Sequence, residues 1–382
     1  MERDIKRNWF ESVFLKTWRP YIWIFIIGLL VYLKTLSFGF VDYDDRHLIV
    51  TNYNFLSELS NIFKAFTQDV FHVPFHHSSK SYYRPLLTVS LMFDAQVGGT
   101  SPIVYHLTNI IIHLTASRLL FLFLIKLKYR KEPVLLFSLI FTVHPALTQA
   151  IAWIPGRNDS LLAVFTLLGF VSFLNLSERK NWRYYFLHML FFALALFTKE
   201  TALALIPVCI FYLYFAKKER ILFSKKIGLI AGWLFIALSW FLLRMTSIEN
   251  PDITVFFILK SLLFNLPGII QYSGKILFPF NLSVYPIMKD GNFYYGIVTI
   301  ILLLTAVFLS KRKSVESVML GSSWFILFLL PSLIGSNPGA QTKLLEHRIY
   351  LPLVGVIILL LETDMIKKLD YRKKYHNNSR FF

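Results

Sequence analysis

The stretch WRPYIWIFIIGLLVYLKTLSFGF, Trp18–Phe40, decides the fold class of this chain. It is apolar over the length needed to cross roughly 30 Å of hydrocarbon. In that medium every backbone polar group must be bonded internally, so the run is read as a membrane-spanning helix. No small-residue cleavage site follows it, which makes it a retained anchor and not a removed leader. The chain then enters FVDYDDRHLIVTN, Phe40–Asn52, with Asp42, Asp44 and Asp45. Acids at the end of a span are either solvated charges that mark the boundary or a general base held beside the lipid surface.

The rest of the chain repeats the pattern. Hydrophobic residues make up 55% and mean hydropathy is +0.55. We expect about ten spans, at 19–38, 104–125, 133–151, 159–176, 184–198, 201–216, 227–244, 293–310, 317–335 and 348–364. A further apolar stretch near 255–280 contains Asn265, Pro267, Gly268, Gly274 and Pro279 and is read as re-entrant or surface-lying helix. The whole chain, 1–382, is taken as a single membrane domain. It has a first outer loop at 39–103, a second outer or re-entrant segment at 245–292, and a basic tail at 365–382. No soluble domain is expected after the last span.

A net charge of +18 invites a nucleic-acid reading, and the placement of the charge rejects it. Most of the 40 lysines and arginines fall in 1–20, 126–132, 177–183, 216–226, 310–314 and 364–382, at alternate ends of the spans. The positive-inside rule then places both termini in the cytoplasm, with attraction to anionic lipid. Cations that stay on the outer side near membrane depth generally have anionic partners or ligands. Cys209, the single cysteine, cannot form an intrachain disulfide.

The outer segments carry the candidate chemistry. NFLSELSNIFKAFTQDVF, 54–71, has near-helical apolar spacing and is expected to form an amphipathic helix along the surface. Arg84, after Tyr83 and before Pro85, suits a phosphate through its planar fork, or snorkels at the interface. His106, Asn109 and His113 share one helical stripe, which either lines a cavity or bonds neighbouring helices. In HPALTQAIAWIPGRNDS, 144–160, Asp159 can cap a helix while Arg157 reaches outward. Lys199 and Glu200 form a charged turn, and Glu346 and Arg348 stand before the last span. No ligand spacing is distinctive for a metal, so none is assigned.

FVDYDDRHLIVTN, YYRPL, YHLTNIIIH, HPALTQAIAWIPGRND, LALFTKETAL, KILFPFNLSVYP and LLEHRIYLP occur in that order. Together they resemble the membrane part of the transmembrane O-mannosyltransferases targeting cadherins and their bacterial relatives. More widely they are similar to protein O-mannosyltransferases and other glycosyltransferases of the GT-C fold. The resemblance covers about 20–360.

It implies an all-α polytopic enzyme that moves a mannose-like sugar from a polyprenyl-phosphate-linked donor to a hydroxyl on the outer side, with inversion. The family's acidic motif maps onto Asp44 and Asp45, and Asp42 ranks lower because relatives commonly carry a neutral residue there. Asp44 would take the acceptor proton and Asp45 would orient it. Arg84 and Arg348 are the first choices for the departing phosphate, then Arg157, Lys199, Arg244 and Lys275. Tyr83, His106, Asn109 and Glu346 are expected to line the substrate site, with Asp159 and Glu200 of lower rank. Neither a cofactor nor a divalent metal is required.

The expected partners are membrane lipid, the lipid-linked sugar, and a protein, lipid or glycan acceptor, without nucleic acid. Phe- and Lys-rich usage points to a bacterial plasma membrane. The chain departs from the family's pattern in two ways: Gln149 stands where relatives carry an acid, and the tetratricopeptide repeats that many relatives carry are absent from this sequence. A flippase or transporter would instead show discontinuous mid-membrane helices and two related halves. A non-catalytic scaffold is the third reading.

Overall fold

The computed structural model describes Trp9 and residues 11–71, 82–179, 181–215, 223–248, 254–334 and 342–368. The His76–His77 stretch, most of the basic loop 216–226 and the tail from 369 lie outside them. Among the described residues the regular structure is helical, apart from one isolated antiparallel bridge between Ile287 and Lys343.

Among the described residues each expected span falls largely on helix, in some cases in two pieces. Among the described residues five helices are long and apolar enough to cross a bilayer: Arg19–Ser37, Pro102–Lys126, Ile154–Arg179, Ile227–Ser247 and Val315–Leu333. Two bent pairs, Lys131–Thr142 with Pro145–Ala152 and Val255–Asn265 with Pro267–Leu277, raise the number to seven. Trp182–Thr198, Glu200–Phe215, Tyr294–Leu309 and Pro352–Leu361 are shorter apolar helices. The protein is an all-α, multi-pass membrane protein.

Two expectations are corrected. The span expected at 133–151 is broken by a 50° bend ahead of Pro145. Proline lacks the N–H that would continue the ladder, and it disfavours helical geometry in the residue before it. His144, extended there, accepts from the Ala146 amide and restarts the chain. The amphipathic helix expected over 54–71 is instead three separate turns, Tyr53–Leu56, Leu59–Ile62 and Lys64–Phe66. Asn61 helps to break it, because its side chain bonds back to the Phe55 carbonyl. By contrast, 255–280 bends by 50° at Leu266–Pro267, in keeping with the re-entrant reading.

Packing between spans uses close contact and aromatic anchors, since lipid tails offer no hydrophobic drive for helices to associate. Trp324 is fully buried against Phe123, Phe170 and Phe328, with ring centroids 4.9–5.3 Å away, and its indole donates to the Leu351 carbonyl. Val315–Leu329 and Pro352–Leu361 meet at Gly321 and Gly355. A Cβ on Gly355 would stand 2.5 Å from the Gly321 carbonyl oxygen. Leu234, Phe235, Leu304 and Phe308 face outward, as lipid-facing residues do.

The polar side chains gather at opposite ends of this bundle. At one end Glu362 accepts from the Tyr129 hydroxyl and the Ser314 amide and pairs with Lys367, while Asp364 accepts from the Arg312 amide. These residues flank the basic loops. The other end holds the motifs quoted above.

Candidate active site at the helix ends

Leaving its first span, the chain folds the 41–45 turn so that the acidic pair splits. Asp45 is fully buried, and one of its oxygens accepts from the Val41 amide at 3.1 Å. Burial pushes its carboxyl up to about 6, with the Val41 amide opposing and the Asp44 charge adding to the rise. Asp44 is only partly buried. Burial raises its carboxyl above the usual carboxylate range, and the charges of His47, Arg84 and Lys343 draw it back. Asp42 is exposed and pairs with Arg46 one turn on, at 2.5 Å. Of the three acids, Asp44 alone is both accessible and surrounded by cations.

Arg84 sits at the start of the Pro85–Gly98 helix with its side chain 18% exposed. Its guanidinium lies 4.8 Å above the Tyr82 ring and 3.8 Å from the Glu200 carboxylate, and its buried Nε has no hydrogen-bond partner among the described residues. The same guanidinium acts electrostatically on Asp44, Asp159, Lys199 and Glu200. Lys199 places its ammonium 2.7 and 2.8 Å from the two oxygens of Asp159. The expected Lys199–Glu200 turn pair is therefore re-partnered: Lys199 takes Asp159 and Glu200 takes Arg84. Arg244 stacks over Trp240 and adds positive charge near Glu200.

From the far end of the sequence, Lys275 pairs with Glu346 at 3.0 Å, and the same carboxylate oxygen accepts from the Ser283 amide at 2.7 Å. Arg348 donates to the Ser332 and Lys343 carbonyls at 2.8 and 3.1 Å, fastening the loop that carries Lys343. Lys343 lies 4.5 Å over the Tyr285 ring, whose hydroxyl is the main influence holding it above the usual lysine value. Tyr43, Tyr82 and Tyr285, all substantially exposed, stand around Asp44 and Lys343.

Several expected site residues turn out to hold the fold. Arg157 does not reach outward, as expected of a loop tip, but is fully buried at the head of Arg157–Arg179. It donates to Asn109 at 2.6 Å, Ser90 at 3.1 Å and the Tyr105 carbonyl at 2.9 Å, and it pairs with Asp94 at 2.5 Å. Asn109 also lies 3.0–3.3 Å from the carbonyls of Ile151, Trp153 and Ile154. His113 bonds the Tyr350 hydroxyl and the Thr142 carbonyl. Asn109 and His113 thus act as interhelical bonds, the second of the two readings of that stripe. His106, on the same stripe, is buried edge-on to Phe38. Tyr83 donates to the Phe66 carbonyl and packs on Phe197 and Trp240.

Four residues enter the site that the motifs did not single out for it: His47, Gln149, Lys343 and His347. His347 lies between two expected residues, so its position was legible while its partners were not. Gln149 accepts from the Glu346 and His347 amides at 3.2 and 3.4 Å and donates to the Val284 carbonyl at 3.0 Å. It clips three distant segments together. Among the described residues no group of three or more His, Cys, Asp or Glu side chains is arranged to hold a metal ion.

The dolichyl-phosphate-mannose-protein mannosyltransferase family matches residues 85–266. Protein O-mannosyl-transferase Tmtc1 of Drosophila melanogaster is 33% identical over 48% of this chain and 21% of its own length. Protein O-mannosyl-transferase TMTC2 of Mus musculus is 35% identical over 39% of this chain and 18% of its own. The Xenopus laevis tmtc2 is 28% identical over 59% and 30%. The matches to the first two thus span about a fifth of each relative. No solved structure matches. Over residues 85–266, the segment that carries Arg157, Lys199 and Glu200, the chain is similar in sequence to dolichyl-phosphate-mannose-protein mannosyltransferases.

Proposed function

We propose that the protein is an inverting glycosyltransferase that moves mannose from a polyprenyl-phosphate-linked donor to an acceptor hydroxyl on the extracytoplasmic face. The observation that carries this reading is that the accessible Asp44 lies within electrostatic reach of Arg84, a guanidinium whose buried Nε has no hydrogen-bond partner among the described residues. Arg157 has every arm engaged, whereas among the described residues Arg84 has a single long ion pair.

In the reaction the acceptor oxygen attacks the anomeric carbon from the face opposite the phosphate. The bond from that carbon to the phosphate oxygen breaks, and its electron pair leaves with the lipid phosphate. Asp44 takes the acceptor proton. Arg84 meets the charge that develops on the phosphate, and Lys343 and Lys199 add positive potential around it. Asp45, turned inward, shapes the 41–45 turn that aims Asp44. The cluster opposes Asp44, Asp159, Glu200 and Glu346 with Arg84, Lys199, Arg244, Lys275, Lys343 and Arg348. The surplus of positive charge suits an anionic leaving group without a metal. The basic loops at the far end of the bundle support cytoplasmic termini and an outward-facing site. A bacterial plasma membrane remains the compartment we assign.

The purified protein, given radiolabelled polyprenyl-phosphate mannose and a mixed acceptor panel, should release polyprenyl phosphate and label an acceptor. Asp44→Asn should lose at least about a hundredfold in turnover, the scale of general-base catalysis, while still inserting and binding donor. Normal turnover in that variant would remove Asp44 from the mechanism.

A further inference from the structure

Gln149 fixes the proton on a histidine that faces the charged cluster. Two backbone amides, of Glu346 and His347, point at one terminal atom of the Gln149 side chain. Amides only donate, so that atom is the carbonyl oxygen Oε1, and the nitrogen is the atom that donates to the Val284 carbonyl. His347 Nδ1 lies 3.1 Å from the same Oε1. It faces an acceptor and therefore carries the hydrogen.

The second ring nitrogen, Nε2, stands 3.9 Å from Asp159 Oδ2, and both oxygens of that carboxylate are already engaged by Lys199. The charged groups facing His347 are Asp159, Lys199, Arg348 and Arg84. Burial, with three cations against one acid, lowers its basicity to about 3. Nε2 is thus a neutral lone pair, with no hydrogen bond to it among the described residues. A lone pair in that position attracts a hydroxyl and repels a phosphate oxygen, which at neutral pH only accepts. It is a different kind of group from its neighbours Arg84, Lys199 and Arg348, all of which attract phosphate.

We propose that His347 reads the sugar of the donor: Nε2 accepts a hydrogen bond from a hexose hydroxyl, and Gln149 is the positioning residue that keeps that nitrogen free of a proton. This rests on the glycosyltransferase reading above. The ligand class it selects is a hydroxylated sugar carried on a lipid phosphate, as against the bare lipid phosphate.

The test compares binding of polyprenyl-phosphate mannose with that of polyprenyl phosphate of the same chain length, using the full chain in lipid nanodiscs. His347→Phe should weaken the mannosyl lipid by about tenfold, the scale of one lost hydrogen bond, and leave the bare lipid unchanged. His347→Gln, which can offer an oxygen to the same hydroxyl, should recover part of the loss. Gln149→Glu keeps the acceptor but gives up the bond to Val284, and its carboxylate favours a doubly protonated His347. In that variant mannosyl-lipid binding should weaken as pH falls from 8 to about 6, while wild type stays flat.

Equal loss of both lipids in His347→Phe, or no loss of either, overturns the sugar-reading role. A Gln149→Glu profile as flat as wild type overturns the positioning role, and this second variant remains decisive if His347→Phe folds poorly. Wild type that binds neither lipid would overturn the glycosyltransferase reading itself, a result distinct from the others.

Discussion

Arg157 and Asp94 meet 2.5 Å apart with neither side chain more than 5% exposed. Asp94 lies one turn before the end of the helix that Arg84 caps, and it also accepts from Thr108 at 2.6 Å. The pair thus ties Pro85–Gly98 to Pro102–Lys126 and Arg157–Arg179, and it sets where Arg84 stands. A buried ion pair owes much of its mutational cost to the charge left behind when one partner goes.

Arg157→Met should therefore cost about 3–5 kcal/mol of stability, from a stranded Asp94 and an unbonded Asn109. Denaturant unfolding in detergent, followed by tryptophan fluorescence, measures it. Adding Asp94→Leu to the same chain should restore part of the loss. A single variant as stable as wild type would show that the pair is not formed.

Arg84→Gln should behave in the opposite way. Among the described residues its guanidinium makes one long ion pair and one ring contact, so the change should move stability by no more than about 1 kcal/mol. Turnover with polyprenyl-phosphate mannose should fall by about 100- to 1000-fold, as when a charge-stabilising donor is removed. Measured together, stability and rate separate this arginine from Arg157.

Asp45 gives a pH signature of unusual sign. Its folded carboxyl is raised from 3.8 to about 6, so between those values the folded protein holds a proton that the unfolded chain has released. The contribution is favourable below that window and is lost as pH rises through it. Thermal midpoints of wild type should thus gain on acidification from pH 7 to 5, relative to Asp45→Asn. The variant can still accept from the Val41 amide. Parallel midpoint curves for the two proteins would contradict the buried placement.

Gly355→Leu should separate Val315–Leu329 from Pro352–Leu361, because no side chain fits against the Gly321 backbone. The last span orients the Glu346–Arg348 turn, so both stability and donor binding should fall. Size-exclusion recovery and lipid binding read the two effects.

The sequence by itself determined the all-α, multi-pass class and where most of the apolar helices lie. Hydropathy over some twenty residues and the placement of Lys and Arg are local properties, and the bilayer imposes them without reference to partners. It also supplied Asp44 and Arg84 as candidates. What only the tertiary structure decided was how these charges are spent. Whether an arginine is engaged or open depends on which acceptors packing brings to it: Arg157 reaches Asn109 and Asp94 on other helices, while Arg84 reaches none closely. The adjacent acids Asp44 and Asp45 face opposite environments because one turn rotates them apart. The Gln149–His347 bond joins residues 198 positions apart, and a hydrogen bond across that separation leaves no periodicity or spacing to read.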